Sequence, residues 1–153
     1  MATWRLARAE EDDAIVEMSM ALYGDAAAEL GVEPAQVHAT LDTFRREPVR
    51  GRALVLEAEG QLVGLCLLAS FWSNELGGEV CVIDEFYVKP EWRARGHGTA
   101  LLAELRTDRY LWPRRPVAFE LEVSPHNPDA RRLYERLGFR EKHNTTLRLR
   151  LRG

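Results

Sequence analysis

Lysine is almost missing from this chain: Lys89 and Lys142 are the only two, and the rest of its 21 Lys and Arg residues are arginines. A single arginine is therefore weak evidence of guanidinium chemistry, because arginine is the chain's ordinary cation. Cysteine is equally scarce. Cys66 and Cys81 sit among Leu65, Leu67, Val80 and Val82, in stretches that read as strands, with no histidine near them in sequence. That setting makes them core residues in a reducing compartment. It also argues against an acyl-cysteine intermediate, since a reactive thiol needs an electropositive, accessible surrounding. No apolar run reaches the length that crosses a bilayer, and Met1-Ala2-Thr3-Trp4-Arg5 lacks an apolar signal core, so a cytoplasmic protein with no membrane partner is expected. Excess positive charge is absent as well. A net charge of −3 argues against binding nucleic acid over the whole surface, and Trp4, Trp72, Trp92 and Trp112 stand at no stacking spacing. His38, His97, His126 and His143 are too scattered for a metal motif, so no metal is expected.

What is present fits one domain over residues 1–153: 46% hydrophobic and 29% charged residues, without repeats, low-complexity tracts or linkers. Residues 3–7 alternate weakly and read as a first strand. Glu10-Glu11-Asp12-Asp13 places negative charge where a helix N-terminus prefers it, and an apolar stripe from Ile15 to Tyr23 ends at Gly24. Pro34 opens a second helix that Pro48 closes. Residues 53–58 and 62–71 read as a hairpin about Glu59-Gly60-Gln61, residues 73–78 as a polar loop with two glycines, and 80–88 as a third long strand. A helix over 98–110, a strand over 117–123 and a helix over 128–137 follow. Alternation of Leu147, Leu149 and Leu151 with Arg148, Arg150 and Arg152 predicts a closing hairpin over 139–151. The order β-α-α-β-β-β-α-β-α-β-β describes an α/β (α+β) fold with helices set against a largely antiparallel sheet.

The turn after the third long strand carries the chemistry. Arg93-Ala94-Arg95-Gly96-His97-Gly98-Thr99 stands between a strand and a helix, where glycine permits positive φ and consecutive backbone N–H groups can converge on an anion. The helix dipole adds positive potential at the same place. No Gly-Lys-Ser/Thr follows, which excludes a Walker A loop, and Leu101 stands where a dinucleotide fingerprint needs its third glycine. On its own this remains a two-glycine turn able to hold a diphosphate.

Its surroundings narrow the reading. Ile83 to Gly98, with the loop Arg93-Ala94-Arg95-Gly96-His97-Gly98, resembles the acetyl-CoA-binding segment of the GNAT superfamily of N-acetyltransferases. Leu121-Glu122-Val123, followed by Asn127 and by Leu133-Tyr134-Glu135-Arg136-Leu137-Gly138-Phe139, resembles that family's next strand and helix. The resemblance implies acetyl-CoA as cosubstrate. It implies that the backbone of Phe86, Tyr87 and Val88 pairs with the pantetheine arm, that residues Arg93 to Thr99 hold the pyrophosphate, and that Asn127 contacts the arm. Tyr134 is implied as the phenol that protonates the leaving thiolate; without the resemblance it is simply a packed helix tyrosine. For the base that deprotonates the amine, two family patterns point to different residues: Asp84, with Glu85 adjacent, or Glu122. Regular alternation puts Asp84 and Glu85 on opposite sheet faces, so one of them looks into the cleft, and the plainer role for each carboxylate is an ion pair with an arginine. The acceptor is expected to be a primary amine, on a small molecule or a protein, attacking directly in a ternary complex. The rival readings are a coenzyme A-binding module without turnover, and transfer of a longer acyl group or to a hydroxyl. The resemblance also allows a homodimer.

Overall fold

The computed structural model describes residues 1–152. It divides into a larger unit, Met1–Glu122, and a smaller one from Val123 onward.

The larger unit is built on five strands in the order β1-β2-β3-β4-β5. These are β1 (Ala2–Leu6), β2 (Gly51–Ala58), β3 (Gln61–Ser73), β4 (Gly78–Val88) and β5 (Ala118–Leu121). The first four pair antiparallel in sequence, and β5 lies parallel to β4. Helices α1 (Asp12–Tyr23), α2 (Ala26–Leu30) and α3 (Pro34–Arg46) connect β1 to β2, and α4 (His97–Thr107) connects β4 to β5.

Register decides which residues face which helices. Ile15, Val16 and Met18 of α1 and Val37 and Leu41 of α3 pack on Val55, Leu65 and Leu67, and Tyr87 joins them at the margin. The opposite face carries Trp4, Leu54, Leu56, Cys66 and Phe86, all aligned by the strand pairing. Here Trp4 lies against Phe86 with ring centroids 5.8 Å apart, and its indole N–H donates to the His97 carbonyl at 3.0 Å, so α4 covers this side. Helices therefore lie on both faces of the sheet. Leu54, Leu56, Leu65, Leu68, Leu101 and Leu105 are sealed from water, each worth about 1.5–3 kcal/mol of apolar burial.

A second buried feature ties the α4–β5 connection to the sheet. The Glu79 carboxylate of β4 accepts from Ser70 Oγ at 2.8 Å, from Trp112 Nε1 at 2.8 Å and from the Arg114 guanidinium. Trp112 is fully buried beneath it.

The smaller unit contains α5 (Pro128–Arg136). Asn127 caps it, its Oδ1 accepting the Ala130 N–H at 3.1 Å, and Pro128 sits in the first turn where its missing N–H costs nothing.

Three expectations from the sequence need correction. No strand forms over 139–152 among the described residues, so the order ends at α5 instead of a closing hairpin. Leu147, Leu149 and Leu151 are 90%, 85% and 92% exposed, which shows that alternation defines an apolar face without supplying the partner that makes it a strand. Helix α2 was not anticipated, although Ala26-Ala27-Ala28-Glu29-Leu30 is made of helix formers and stops at Gly31 in the left-handed region. Finally, the loop over 73–78 contracts to a turn, because β3 runs on to Ser73 and β4 begins at Gly78.

Candidate active site

The sheet forks between β4 and β5. Their parallel pairing runs from Val80↔Ala118 to Ile83↔Leu121 and stops there, while β4 continues to Val88. Asp84, Glu85, Phe86, Tyr87 and Val88 thus have no β5 partner, and their outward backbone groups line an open edge.

A bulge marks the branch point. On the β3 side Leu68 pairs with Ile83 and Leu67 with Glu85, leaving Asp84 as an extra residue without an opposite number. Such an insertion bends the strand and re-aims side chains. Regular alternation therefore does not hold at Asp84, and the simple two-face argument for Asp84 and Glu85 fails.

The two residues immediately beyond the last pair are Asp84 and Glu122, one on each arm. Although Asp84 is open to solvent, partial loss of hydration against the fork wall pushes its carboxyl above the usual range, and the charge of Glu122 pushes it further. Neither forms an ion pair with an arginine among the described residues. Glu85 is different: it is buried under α1, with Ser19 Oγ donating to its Oε1 at 2.7 Å and Tyr23 Oη to its Oε2 at 2.8 Å. Burial raises its carboxyl above the usual range, the two hydroxyls pull the other way, and the nearby Asp84 charge adds to the rise. Sequence reasoning missed Ser19 and Tyr23. Their i, i+4 spacing on an amphipathic helix was the available signal, but nothing in the sequence shows that this face meets β4 at Glu85.

Past Val88 a short 3₁₀ turn, Pro90–Trp92, leads into the loop. Ala94 (φ 60°) and Gly96 (φ 79°) both take left-handed conformations, and Gly96 caps α4 with no side-chain hydrogen bond. The first helical bond is Ala100 N–H to the Gly96 carbonyl at 3.0 Å, so the N–H groups of His97, Gly98 and Thr99 precede the ladder. Uncapped donors at a helix N-terminus fit a phosphate. Only one of the two glycines meets the expected conformational need: Gly98 has no positive φ, and a Cβ there would lie an ordinary 3.5 Å from the Phe86 ring.

The loop arginines are turned onto their own surroundings. Arg93 Nε donates to the Val88 carbonyl at 2.7 Å and its guanidinium lies 5.5 Å from the Tyr87 ring centre. Arg95 stacks 4.6 Å over Trp92 and bonds the Glu91 carbonyl at 2.9 Å. The donors left open at this turn are thus backbone N–H groups and not the two guanidinium groups, and the Val88 carbonyl, on the strand expected to pair with pantetheine, is shared with Arg93. In the smaller unit, Tyr134 meets Phe139 edge-on with centroids 5.7 Å apart, and the Asn127 oxygen is engaged in its cap. Cys66 is wholly buried, its thiol pushed far up by burial, and the Cys81 thiol is pushed up to about 12, mainly by burial, so neither is a nucleophile.

The comparisons with known proteins place this arrangement, a strand edge left open beyond β5 and an uncapped helix N-terminus past it, within one family. The model of the acetyltransferase (GNAT) family matches residues 9–139, so the chain belongs to that family. An uncharacterised N-acetyltransferase of Methanocaldococcus jannaschii is 39% identical over 89 residues, covering 58% of this chain and 38% of that protein. The chain thus spans well under half the length of that relative. Among solved structures, a possible acetyltransferase from Clostridium difficile 630 superposes with a TM-score of 0.77 at 19% identity, over 100% of this chain and 99% of that one. An aminoglycoside N-acetyltransferase in complex with CoA superposes with a TM-score of 0.74 at 16% identity, over 99% and 95%. At those identities the structural likeness speaks for the fold alone.

Proposed function

We propose that this GNAT acetyltransferase moves an acetyl group from acetyl-CoA to a primary amine by direct attack in a ternary complex. The observation that carries the reading is the fork: a run of β4 from Asp84 to Val88 without a β5 partner, leading into the open N-terminus of α4 and flanked by two unneutralised carboxylates. In this reading the N–H groups of His97, Gly98 and Thr99 hold the diphosphate, and the free edge at Phe86 and Tyr87 takes the pantetheine arm as an added strand.

An amine arrives as ammonium and must lose a proton before its lone pair can attack. Asp84 is proposed to take that proton, its affinity for it raised by lost hydration and by the charge of Glu122. The amine nitrogen then bonds to the thioester carbonyl carbon, the carbon–sulfur bond breaks, and the sulfur leaves with a proton from a phenol. The role of that phenol is proposed for Tyr134, on its match to the family motif. Coenzyme A release followed with a thiol reagent across a panel of primary amines tests the reading. Failure of acetyl-CoA to bind in calorimetry overturns it.

A further inference from the structure

Two carboxylates are buried in β4, and they are neutralised differently. Glu79 has the Arg114 guanidinium beside its hydroxyl and indole donors. Glu85 has hydroxyls only, Ser19 on one oxygen and Tyr23 on the other, and no cation within ion-pair distance among the described residues. A buried carboxylate without a cation is costly, since neutral donors offset only part of its lost hydration. The missing positive charge is what an ammonium would bring.

The surroundings of Tyr23 indicate where that charge enters. Ser19 is sealed from water, whereas Tyr23, one helical turn on and the last residue of α1, is only half-buried. It stands just before Gly24, where a positive φ of 55° breaks the helix. Its hydroxyl bonds Glu85, the residue next to Asp84 on β4, at 2.8 Å, and the Asp84 charge also acts on the phenol. Burial and the Glu85 carboxylate hold that phenol protonated far above neutral pH, leaving its hydrogen committed to Glu85 and its oxygen lone pair available. On the α4 face, Phe86 is packed between Trp4 and Gly98, whereas on the α1 face Tyr23 keeps part of its side chain open to solvent. The titratable groups around Glu85 are Tyr23 on α1, Asp84 on β4 itself and Cys66 on β3.

We propose that Tyr23 binds the acceptor's ammonium, its oxygen accepting an N–H while Glu85 supplies the charge from behind, with Ser19 and Glu85 as positioning residues acting through Tyr23. The proposal rests on the acetyl-transfer reading and names the acceptor as a cationic primary amine. It separates amine binding, at Tyr23, from proton removal, at Asp84.

The test uses the full chain saturated with coenzyme A and labelled with carbon-13 at the tyrosine ring. Only four tyrosines are present, so the Tyr23 signal is identified by its loss in Tyr23→Phe. Addition of n-butylammonium is expected to shift that signal, and tetramethylammonium, which has no N–H, is expected not to. In turnover with the same amine, Tyr23→Phe is expected to raise the amine KM about tenfold, the effect of one charge-assisted hydrogen bond, with kcat and the acetyl-CoA KM unchanged. Ser19→Ala should act in the same direction, and the Ser19→Ala/Tyr23→Phe double variant should be no worse than Tyr23→Phe alone. An unmoved Tyr23 signal, or strictly additive effects, overturns the proposal. Loss of coenzyme A binding in calorimetry instead overturns the acetyl-transfer reading beneath it, so the two failures are distinguishable.

Discussion

Trp4 and His97, 93 residues apart in sequence, are joined by a 3.0 Å hydrogen bond from the indole N–H to the backbone carbonyl. The first strand of the sheet thereby fixes the first residue of α4, where the diphosphate is proposed to lie. Trp4→Phe removes the donor while keeping a ring against Phe86. The lost bond should cost about 1 kcal/mol of stability in urea denaturation, and coenzyme A binding should weaken by more than that loss alone explains.

Gly96 and Gly98 should respond in opposite ways to alanine. Gly96→Ala forces a Cβ into a left-handed conformation and should cost about 1 kcal/mol. Gly98→Ala lies inside α4 with room for a methyl group, so stability should rise by about 0.5–1 kcal/mol. Its methyl would nonetheless stand among the donors of the helix N-terminus, so coenzyme A affinity should fall. Thermal melting together with calorimetry separates the two effects.

Asp84 gives a pH signature. Its carboxyl is raised in the folded chain, so the fold binds that proton more tightly than the unfolded chain does. The penalty is absent below the unfolded pKa, grows as pH rises toward the folded one, and is complete above it. Asp84→Asn should therefore melt higher than the parent at pH 7 and no higher at pH 3. The same variant should lose most acetyl transfer, and the acid limb of kcat/KM should disappear with it.

Glu79 tests the scaffold separately from the chemistry. Glu79→Ala leaves the buried Trp112 indole without its acceptor, while the Arg114 guanidinium, partly open to water, can be rehydrated, so the change should cost about 1–3 kcal/mol. Glu79→Gln keeps an acceptor and should cost less. Chemical denaturation of both variants checks the order.

Local signals in the sequence carried most of the fold. Pro34, Gly24 and Gly138 punctuate helices where the structure ends or begins them, and the apolar runs about Cys66 and Cys81 are central strands. The Arg93–Thr99 turn was legible because an uncapped strand-to-helix turn is a local feature. The fork was not: it depends on β5 stopping at Leu121 and on an extra residue at Asp84, both set by register between strands distant in sequence. Pairing of Glu85 with Ser19 and Tyr23 has the same origin, since helix α1 and strand β4 meet only in three dimensions. The closing hairpin failed for the converse reason, a legible face with no strand beside it.

Acetyl transfer itself is tested most directly by incubating the protein with acetyl-CoA and a panel of primary amines, following thiol release and product mass together. The account predicts thiol release that depends on the amine, with one acetyl group gained by the product and both lost in the Asp84→Asn/Glu122→Gln double variant. Tight acetyl-CoA binding with no amine-dependent release across the panel would contradict it, leaving a coenzyme A-binding module in its place.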